Sequence, residues 1–347
     1  MLTASWLFVA TPTVAQRERK VTKLADGVYA IEHEEGPDGQ RSGNTTVIIG
    51  ERQVFVVDSC FKQSDAREDI AQIRKWTDKP VSFVLNTHFH NDHNLGNRAY
   101  MDAFPSLTII AHVETKKSMD MFGPGSLSRE EKFNASLQRM LDSGKSTDGT
   151  TLTESDKVEV RNLLAARGSL MEDLRPVKFQ SATLSFDHDF SIDIGNREVQ
   201  VKFLGKGNTG GDAVMYLPKE KILAAGDLIV HPVPNIFDGY PEEWVQTLEE
   251  LAQLNAETIV PGHGPIMHDK TYLFLVYDFL KSAVDQVEAK LRKDGPALSL
   301  TLDDFKAAVD LTPFRQRFAG TDENKIARFD YIANNLVKLL FMEESLR

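Results

Sequence analysis

The feature that most restricts the fold of this chain is a set of short apolar runs of strand length that occurs twice, with a charged helical stretch between the two blocks. In the first block "GVYAIEHE" (27–34), "NTTVIIG" (44–50) and "QVFVVDSC" (53–60) are separated by Gly or charged turns and read as a strand meander. "SDAREDIAQIRKW" then carries Ala66, Ile70 and Ile73 at helical spacing behind Ser64 or Asp65 as N-cap, and "VSFVLN" returns as a buried strand. A similar order recurs in "REVQVKFL" (197–204), "AVMYLP" (213–218) and "KILAAGD" (221–227). A helix starting near Pro241, with Trp244, Leu248 and Leu251 on one face, and then "ETIVPGHG" complete the second block.

Residues from 114 to about 178 change character: they are charged, contain Met and Leu at helical periodicity, and are broken by "FGPGS" and "SGKSTDGTT". This predicts a helical insertion. From about 268 to 347 the chain is again helical, since "DKTYLFLVYDFLKSAVDQVEAKL" and "ENKIARFDYIANNLVKLLFMEE" place apolar residues at three- and four-residue steps. Helices flanking two mixed sheets predict an α/β fold of four layers, an αββα sandwich, with functional loops at strand ends along one edge.

Composition closes several routes. A formal net charge of −11 offers no electrostatic footprint for a phosphate backbone, so the expected partner is a small-molecule substrate rather than nucleic acid. One cysteine, Cys60, excludes an internal disulfide framework and a cysteine-rich metal cage. No later stretch is apolar for the ~20 residues that a membrane span needs. At the start, an apolar run from Leu2 to Ala10 and a small-residue Thr13-Val14-Ala15 ending look like a secretory signal without its basic first part. Residues 1–16 are therefore expected to be a signal segment, 17–347 one domain, and the location periplasmic or secreted.

Directly after the "VSFVL" strand comes "NTHFHNDHNLGN" (86–97), with three histidines and an aspartate inside six positions. On an extended turn, alternate positions point the same way, so His88 and His90 can grip one ion while Asp92 and His93 face a second. The apolar strand ahead of them supplies the rigidity that metal-ligand geometry needs.

"THFHNDH" resembles the HxHxDH signature of the metallo-β-lactamase superfamily, and "NLGN" resembles its small-residue ending, with Leu95 where that family more often has Gly. Further landmarks follow in order: Asp58 in "VVDS", Asp227 in "AAGD" and His263 in "VPGHG". "GNTGGD" (207–212) resembles the family's GHTxGD or GHTxGH loop, but Asn208 occupies the histidine position. The resemblance implies a metallo-β-lactamase-like sandwich, with one metal held by His88, His90, Asp227 and Asn208. The other would be held by Asp92, His93, His263 and the shared Asp227. Asp58 would buttress the histidine loop. It also implies a hydrolase, with zinc in two sites of unequal affinity, in which a metal-bound hydroxide cleaves an ester, thioester, lactone or β-lactam and Asp92 orients the nucleophile. Two alternatives share this fold: a redox member using iron, or manganese, which an Asn oxygen would suit, and a non-catalytic metal- or ligand-binding member.

Outside this set, His231 in "GDLIVHPVP" is a candidate to reach the pocket, and Lys206 a candidate to meet a substrate carboxylate. His112, His188 and His268 are expected in hydrogen-bonded or solvated positions, "DHD" (187–189) in a turn, and Cys60 as a small core residue.

Overall fold

The computed structural model describes residues 19–147 and 149–346, so the expected signal segment lies outside the described residues. Seven strands form one sheet in chain order: β1 (Lys20–Ala25), β2 (Val28–Glu32), β3 (Thr45–Ile49), β4 (Val54–Val57), β5 (Val81–Leu85), β6 (Thr108–His112) and β7 (Leu184–Phe186). Pairing is antiparallel from β1 to β4 and parallel from β4 to β7. The second sheet holds β8 (Phe190–Asp193), β9 (Glu198–Phe203), β10 (Ala213–Leu217), β11 (Ile222–Val230) and β12 (Thr258–His263), in the order β12-β11-β10-β9-β8. β11 and β12 run parallel, and the other pairs antiparallel.

Alternation within the strands decides the layering. In β4, Phe55 and Val57 join Val28, Ala30 and Ile48 against Val201, Met215 and Val260 of the second sheet. Val54 and Val56 point the other way and pack on Ala66, Ile70 and Ile73 of α1 (Gln63–Trp76). A strand covered on both faces reads as an unbroken apolar run, which is why "VFVV" shows no polar alternation. Beyond α1 lie the short α2 (Asn91–Asn94) and α3 (Asn97–Ala103), and the insertion between β6 and β7 holds α4 (Val113–Phe122), α5 (Ser126–Ser143) and α6 (Glu154–Leu174). On the outer face of the second sheet Tyr216, Leu223 and Ala225 pack on α7 (Pro241–Gln253) through Trp244, Leu248 and Leu251. α8 (Thr271–Asp294), α9 (Leu302–Ala308), α10 (Thr312–Ala319) and α11 (Glu323–Ser345) extend that cluster, with Phe279, Phe305, Phe318, Phe329 and Leu336 buried in it. The result is the expected αββα sandwich with a helical insertion and a helical C-terminal region.

Two local expectations are corrected. α1 begins at Gln63 with Lys62 as its N-cap, and no side chain of its own sequence caps it. Its first N–H groups instead donate to Asp173 of α6, Gln63 at 2.7 Å and Ser64 at 3.0 Å, so the cap comes from the insertion. The ligand segment is extended only as far as His90. Asn94 Nδ2 then bonds the carbonyls of Phe89 (2.7 Å) and His90 (2.8 Å), winding Asn91–Asn94 into the single turn of α2.

Both helical additions reach the ligand edge. Leu170 and Leu174 of α6 pack with Phe61 and Leu95, and Ser126 Oγ donates to Asn91 Oδ1 at 3.1 Å. From the other side Asn335 of α11 donates to the carbonyls of Ile236 (2.6 Å) and Phe237 (3.1 Å), fixing the loop after β11. No helix of the described residues is long and apolar enough to cross a membrane.

Candidate metal centre

The ligand segment is held at both ends by a reciprocal amide pair. Asn86 Nδ2 donates to Asn97 Oδ1 (3.1 Å), and Asn97 Nδ2 donates to Asn86 Oδ1 (2.8 Å). Gly96, beside Asn97, passes so near β4's exit that a Cβ there would meet the Ser59 carbonyl oxygen at 1.7 Å, so no larger residue fits without moving backbone.

Asp58, in the left-handed region at φ 62°, organises two of the three histidines. It is buried and accepts from Thr87 N (2.8 Å), Thr87 Oγ1 (2.9 Å) and His93 Nδ1 (2.8 Å). Because the Thr87 hydroxyl proton goes to Asp58, that oxygen is left to accept from His88 Nδ1 at 3.0 Å. The Nε2 lone pairs of His88 and His93 therefore both face inward. His90 is oriented by a different carboxylate, its Nε2 lying 3.3 Å from Asp238 Oδ1, so its Nδ1 faces inward.

The inward groups converge from the loop after β5, from within β11 and from the end of β12. His88 Nε2 lies 3.0 Å from His90 Nδ1 and 3.8 Å from Asp227 Oδ2. His93 Nε2 lies 3.2 Å from His263 Nε2 and 3.2 Å from Asp227 Oδ1, and His263 Nε2 is 2.9 Å from Asp92 Oδ2. Gly262 lets β12 pass close to Asp227, since a Cβ there would sit 2.0 Å from Asp227 Oδ1. Two sets emerge whose ligand atoms lie within 4.8 Å of one another: His88, His93 and Asp227, and Asp92, His93 and His263. His93 thus stands between both sets, whereas His90 leans toward Asp238 and Asn208. Asn208 is fully buried with Nδ2 3.4 Å from His90 Nδ1.

Electrostatics describe a site short of positive charge. Burial raises the Asp227 carboxyl, but His263 and His93 more than reverse this and hold it well below the usual carboxylate range. Burial lowers His93, and Asp227, Asp92 and Asp58 together raise it well above an ordinary imidazole. His88 is pushed well down by burial and by His93. Behind Asn208, burial pushes the Asp212 carboxyl up to about 7, with one oxygen accepting from Thr209 N at 2.7 Å.

A divalent cation fits this arrangement. Asp227 Oδ1 is buried without a hydrogen-bond partner, and inward imidazole nitrogens face one another at 3.0 and 3.2 Å. Facing ring nitrogens at such separations take a proton or a metal cation between them, and a set of imidazole nitrogens and carboxylate oxygens suits a first-row divalent ion.

A family model described as the metallo-beta-lactamase superfamily matches residues 38–263, which span every residue of this centre. The chain belongs to that superfamily. Among curated relatives of this metallo-beta-lactamase-fold chain, the linear primary-alkylsulfatase of Pseudomonas sp. (strain ATCC 19151) is 25% identical over 302 residues, covering 79% of this chain and 52% of the relative. The chain thus spans about half the length of that relative. The type 2 metallo-beta-lactamase of Elizabethkingia meningoseptica is 23% identical over 253 residues, covering 71% of this chain and 79% of the relative. Of solved structures, the metallo-beta-lactamase from Pontibacter korlensis superposes with a TM-score of 0.53 at 19% identity, over 76% of this chain and 99% of that one. Metallo-beta-lactamase IND-7 gives 0.54 at 16% identity, over 77% and 99%. At these identities the structures show the shared fold.

The outlying candidates sit apart from the ligand sets. His231 bonds the His263 carbonyl through its backbone N–H (3.1 Å), but its ring lies against Tyr272 at 5.0 Å between centroids. Lys206 is paired with Glu243 at 2.8 Å and lies over the Tyr240 ring. His112 stacks on Phe203 at 3.9 Å and caps α4, His188 and His268 are exposed, and Cys60 is buried. Sequence reasoning missed Asp238, which orients His90, and Asn235, whose Nδ2 donates to Asp227 Oδ2 at 3.3 Å. Both lie on the loop after β11. Only the position of "NIFDG" shortly after Asp227 hinted at them.

Proposed function

We propose that this protein is a hydrolase that uses divalent metal, with zinc as its working ion, to cleave a carboxylic acid derivative: an ester, thioester, lactone or β-lactam. The observation that carries this reading is the convergence of His88, His90, Asp92, His93, Asp227 and His263, with Asp227 Oδ1 buried and unpartnered among them. One ion would lie among His88, His90, Asp227 and Asn208, the other among Asp92, His93, His263 and Asp227. Bound ions would supply Lewis acidity and a water acidic enough to ionise near neutral pH.

The chain's own residues do the rest. Asp58 fixes the tautomer of His93 directly and that of His88 through Thr87. Asn235 holds one oxygen of Asp227 and leaves the other aimed inward. Asp92, half-buried beside His263, is placed to hold the attacking water and to receive its proton. A cleft of about 280 Å³ lined by Phe89, His90, Asn91, Phe122, Arg129 and Asp238 opens beside the centre and receives the rest of the substrate. Phe122 and Arg129 come from the insertion, which thereby helps set substrate choice. Replacing Phe122 with Ala should change relative rates across a substrate panel more than it changes metal content, and a panel profile identical to the parent's would remove the insertion from specificity.

Residues 17–347 are read as one domain, and export as its destination, which sequencing the N-terminus of the mature protein checks. The function itself is tested by metal analysis of protein purified without added metal, followed by chromogenic ester, thioester, lactone and lactam substrates. A sulfate ester belongs in the panel because an alkylsulfatase is among the relatives. Protein that holds zinc yet turns over none of them would overturn the reading.

A further inference from the structure

The helical insertion is fastened to the sandwich unevenly. α6 is well anchored: Leu170 and Leu174 pack with Phe61 and Leu95, and Asp173 caps α1. α5 has little apolar anchorage of its own, since of its 18 residues only Ser126 and Leu137 are buried. Yet α5 carries part of the cleft beside the metal centre. Arg129 lines that cleft, donating to the Phe122 carbonyl at 2.8 Å and to Asn91 Oδ1 at 3.4 Å. Something other than apolar burial must keep this wall in place.

That tie is Arg167. It stands four residues after Leu163, three before Leu170 and seven before Leu174, so a cation interrupts the apolar stripe of α6. Its side chain is 1% exposed. Nε donates to Asn134 Oδ1 and Nη2 to Glu130 Oε2, both on α5, while Nη1 donates to the Asp38 carbonyl at 3.0 Å. Phe133 of α5 covers the guanidinium, with 4.6 Å from its ring centroid to Cζ. Asp38 belongs to the loop between β2 and β3, and its buried carboxylate is paired with Lys62 at 3.2 Å. Gln40 of the same loop donates to Glu130 Oε2 at 3.3 Å. Five residues past Asp38, Gly43 N–H donates to the Asp92 carbonyl at 2.8 Å, so this loop runs on into the metal edge. A guanidinium holds its donors in a fixed planar fork and can therefore keep acceptors on two other segments in one register. Moving α5 away would leave that charge buried without its carboxylate, which opposes opening.

We propose that Arg167 is a positioning residue for substrate choice: by tying α5 to the loop ahead of β3, it fixes the wall made by Phe122 and Arg129 and holds the cleft at about 280 Å³. That the cleft receives substrate rests on the hydrolase reading, whereas the tie itself rests on the contacts of Arg167. Arg167 belongs neither to the ligand sets nor to the lining of the cleft, so it acts through α5 alone. With the tie released, α5 moves outward, the cleft widens, and esters with bulky acyl groups gain on small ones.

The test follows backbone hydrogen exchange and ester kinetics on metal-loaded protein, in the parent, Glu130→Gln, Arg167→Lys and the exposed control Glu131→Gln. Glu130→Gln removes the counter-charge and keeps the side-chain shape, so it tests the tie even if Arg167→Lys folds poorly. Amides of residues 126–143 should exchange about tenfold faster in Glu130→Gln than in the control, with those of β5 and β11 unchanged. Arg167→Lys, which keeps the charge beside Glu130, should give a smaller acceleration. The kcat/KM ratio of a bulky acyl ester to a small one should rise about tenfold in Glu130→Gln through KM, with kcat for the small ester within about twofold of the parent's. In an active enzyme, exchange and size preference must change together in Glu130→Gln. Either one changing without the other, or neither changing, would overturn the role of Arg167. Faster exchange of α5 in the variant, where the parent hydrolyses no ester, would uphold the tie and sink the hydrolase reading instead.

Discussion

Two clusters in this protein gather metal-ligating side chains and differ in where their positive charge comes from. His33, Cys60 and Asp69 bring an imidazole, a thiol and a carboxylate within 4.8 Å of one another, as close as the members of either set at the metal centre. That first cluster already contains its cation. Arg19 Nη1 bonds both His33 Nδ1 and Asp69 Oδ1 at 2.7 Å, and Asp69 Oδ2 takes the Cys60 thiol at 3.2 Å. Since a guanidinium can only donate, His33 carries its ring proton on Nε2, 3.2 Å from Asp69 Oδ2. Burial and the neighbouring Asp69 push the Cys60 thiol well up, so it stays a thiol and no soft anionic ligand forms. At the metal centre no arginine or lysine of the described residues enters the ring of ligands, and Asp227 Oδ1 remains without a partner. Proximity of ligand types is therefore common to both clusters. An unmet demand for positive charge is what marks a metal site.

The largest effects should fall on the second cluster alone. His90→Ala and Asp92→Asn should each lower hydrolysis by at least ~10²-fold while leaving the thermal transition of the protein in place, because they remove charge stabilisation and water orientation rather than core. Steady-state rates and differential scanning calorimetry on the same preparations separate the two. Full activity in both variants would mean that the cluster is not the reacting centre.

The first cluster should answer in the opposite currency, stability without chemistry. Arg19→Met leaves the fully buried Asp69 without its cation, and breaking a buried pair from one side typically costs about 3–5 kcal/mol. Because the Arg19 side chain is 13% exposed, the lower end, about 3 kcal/mol, is expected by denaturant unfolding, with the rate per folded molecule retained. A variant as stable as the parent would show that Arg19 is not the counter-charge.

How much of this was readable beforehand follows the range of the interaction. The αββα layers were legible because alternation and 3.6-residue periodicity are local, and so was the ligand loop, because "THFHNDH" packs its chemistry into consecutive positions. β1 was missed: its "KVTKLA" is an edge strand with exposed lysines, as an edge that avoids further pairing must be. The cap of α1 was misplaced because Asp173, more than a hundred residues away, supplies it. Asp238, Asn235 and the Arg19 cluster share that cause. Each depends on segments brought together by the tertiary fold, and no local pattern distinguishes such an Asp or Asn from a solvated one.

Acid should distinguish the clusters again, by a smaller margin. Burial raises the Asp69 carboxyl, but His33 and Arg19 more than reverse this and leave it below its ordinary value. A carboxylate depressed on folding contributes stability above its unfolded pKa of ~3.9, and that contribution is lost as pH falls through the lower folded value. Unfolding midpoints measured from pH 5 down to pH 2 should therefore fall less steeply in Asp69→Asn than in the parent, from a lower starting point. Parallel curves would show that Asp69 does not contribute to the acid limb.

The smallest effect concerns Asn208, where the contrast between a filled and an unfilled cluster narrows to one atom. Its Oδ1 is fully buried and unpartnered, a condition that costs about 1–3 kcal/mol unless something takes the oxygen. The neighbouring His90 Nδ1 is 3.4 Å from Nδ2, so a flip of the amide would bring the oxygen to the same edge of the site as that nitrogen. A neutral amide oxygen donates to zinc more weakly than an imidazole, and asparagine is not among zinc's usual ligands. The half of the centre built on His88 and His90 should then be the weaker half. The half built on Asp92, His93, His263 and Asp227 has two imidazoles and two carboxylates and should fill first. Calorimetric titration of metal-free protein with zinc should show two steps. Asn208→His should draw them together by supplying a nitrogen of the kind His88 and His90 already offer, and Asn208→Ala should spread them by removing the oxygen altogether. Equal, tight sites that ignore Asn208→Ala would mean that the oxygen is satisfied by solvent and that Asn208 ligates neither ion.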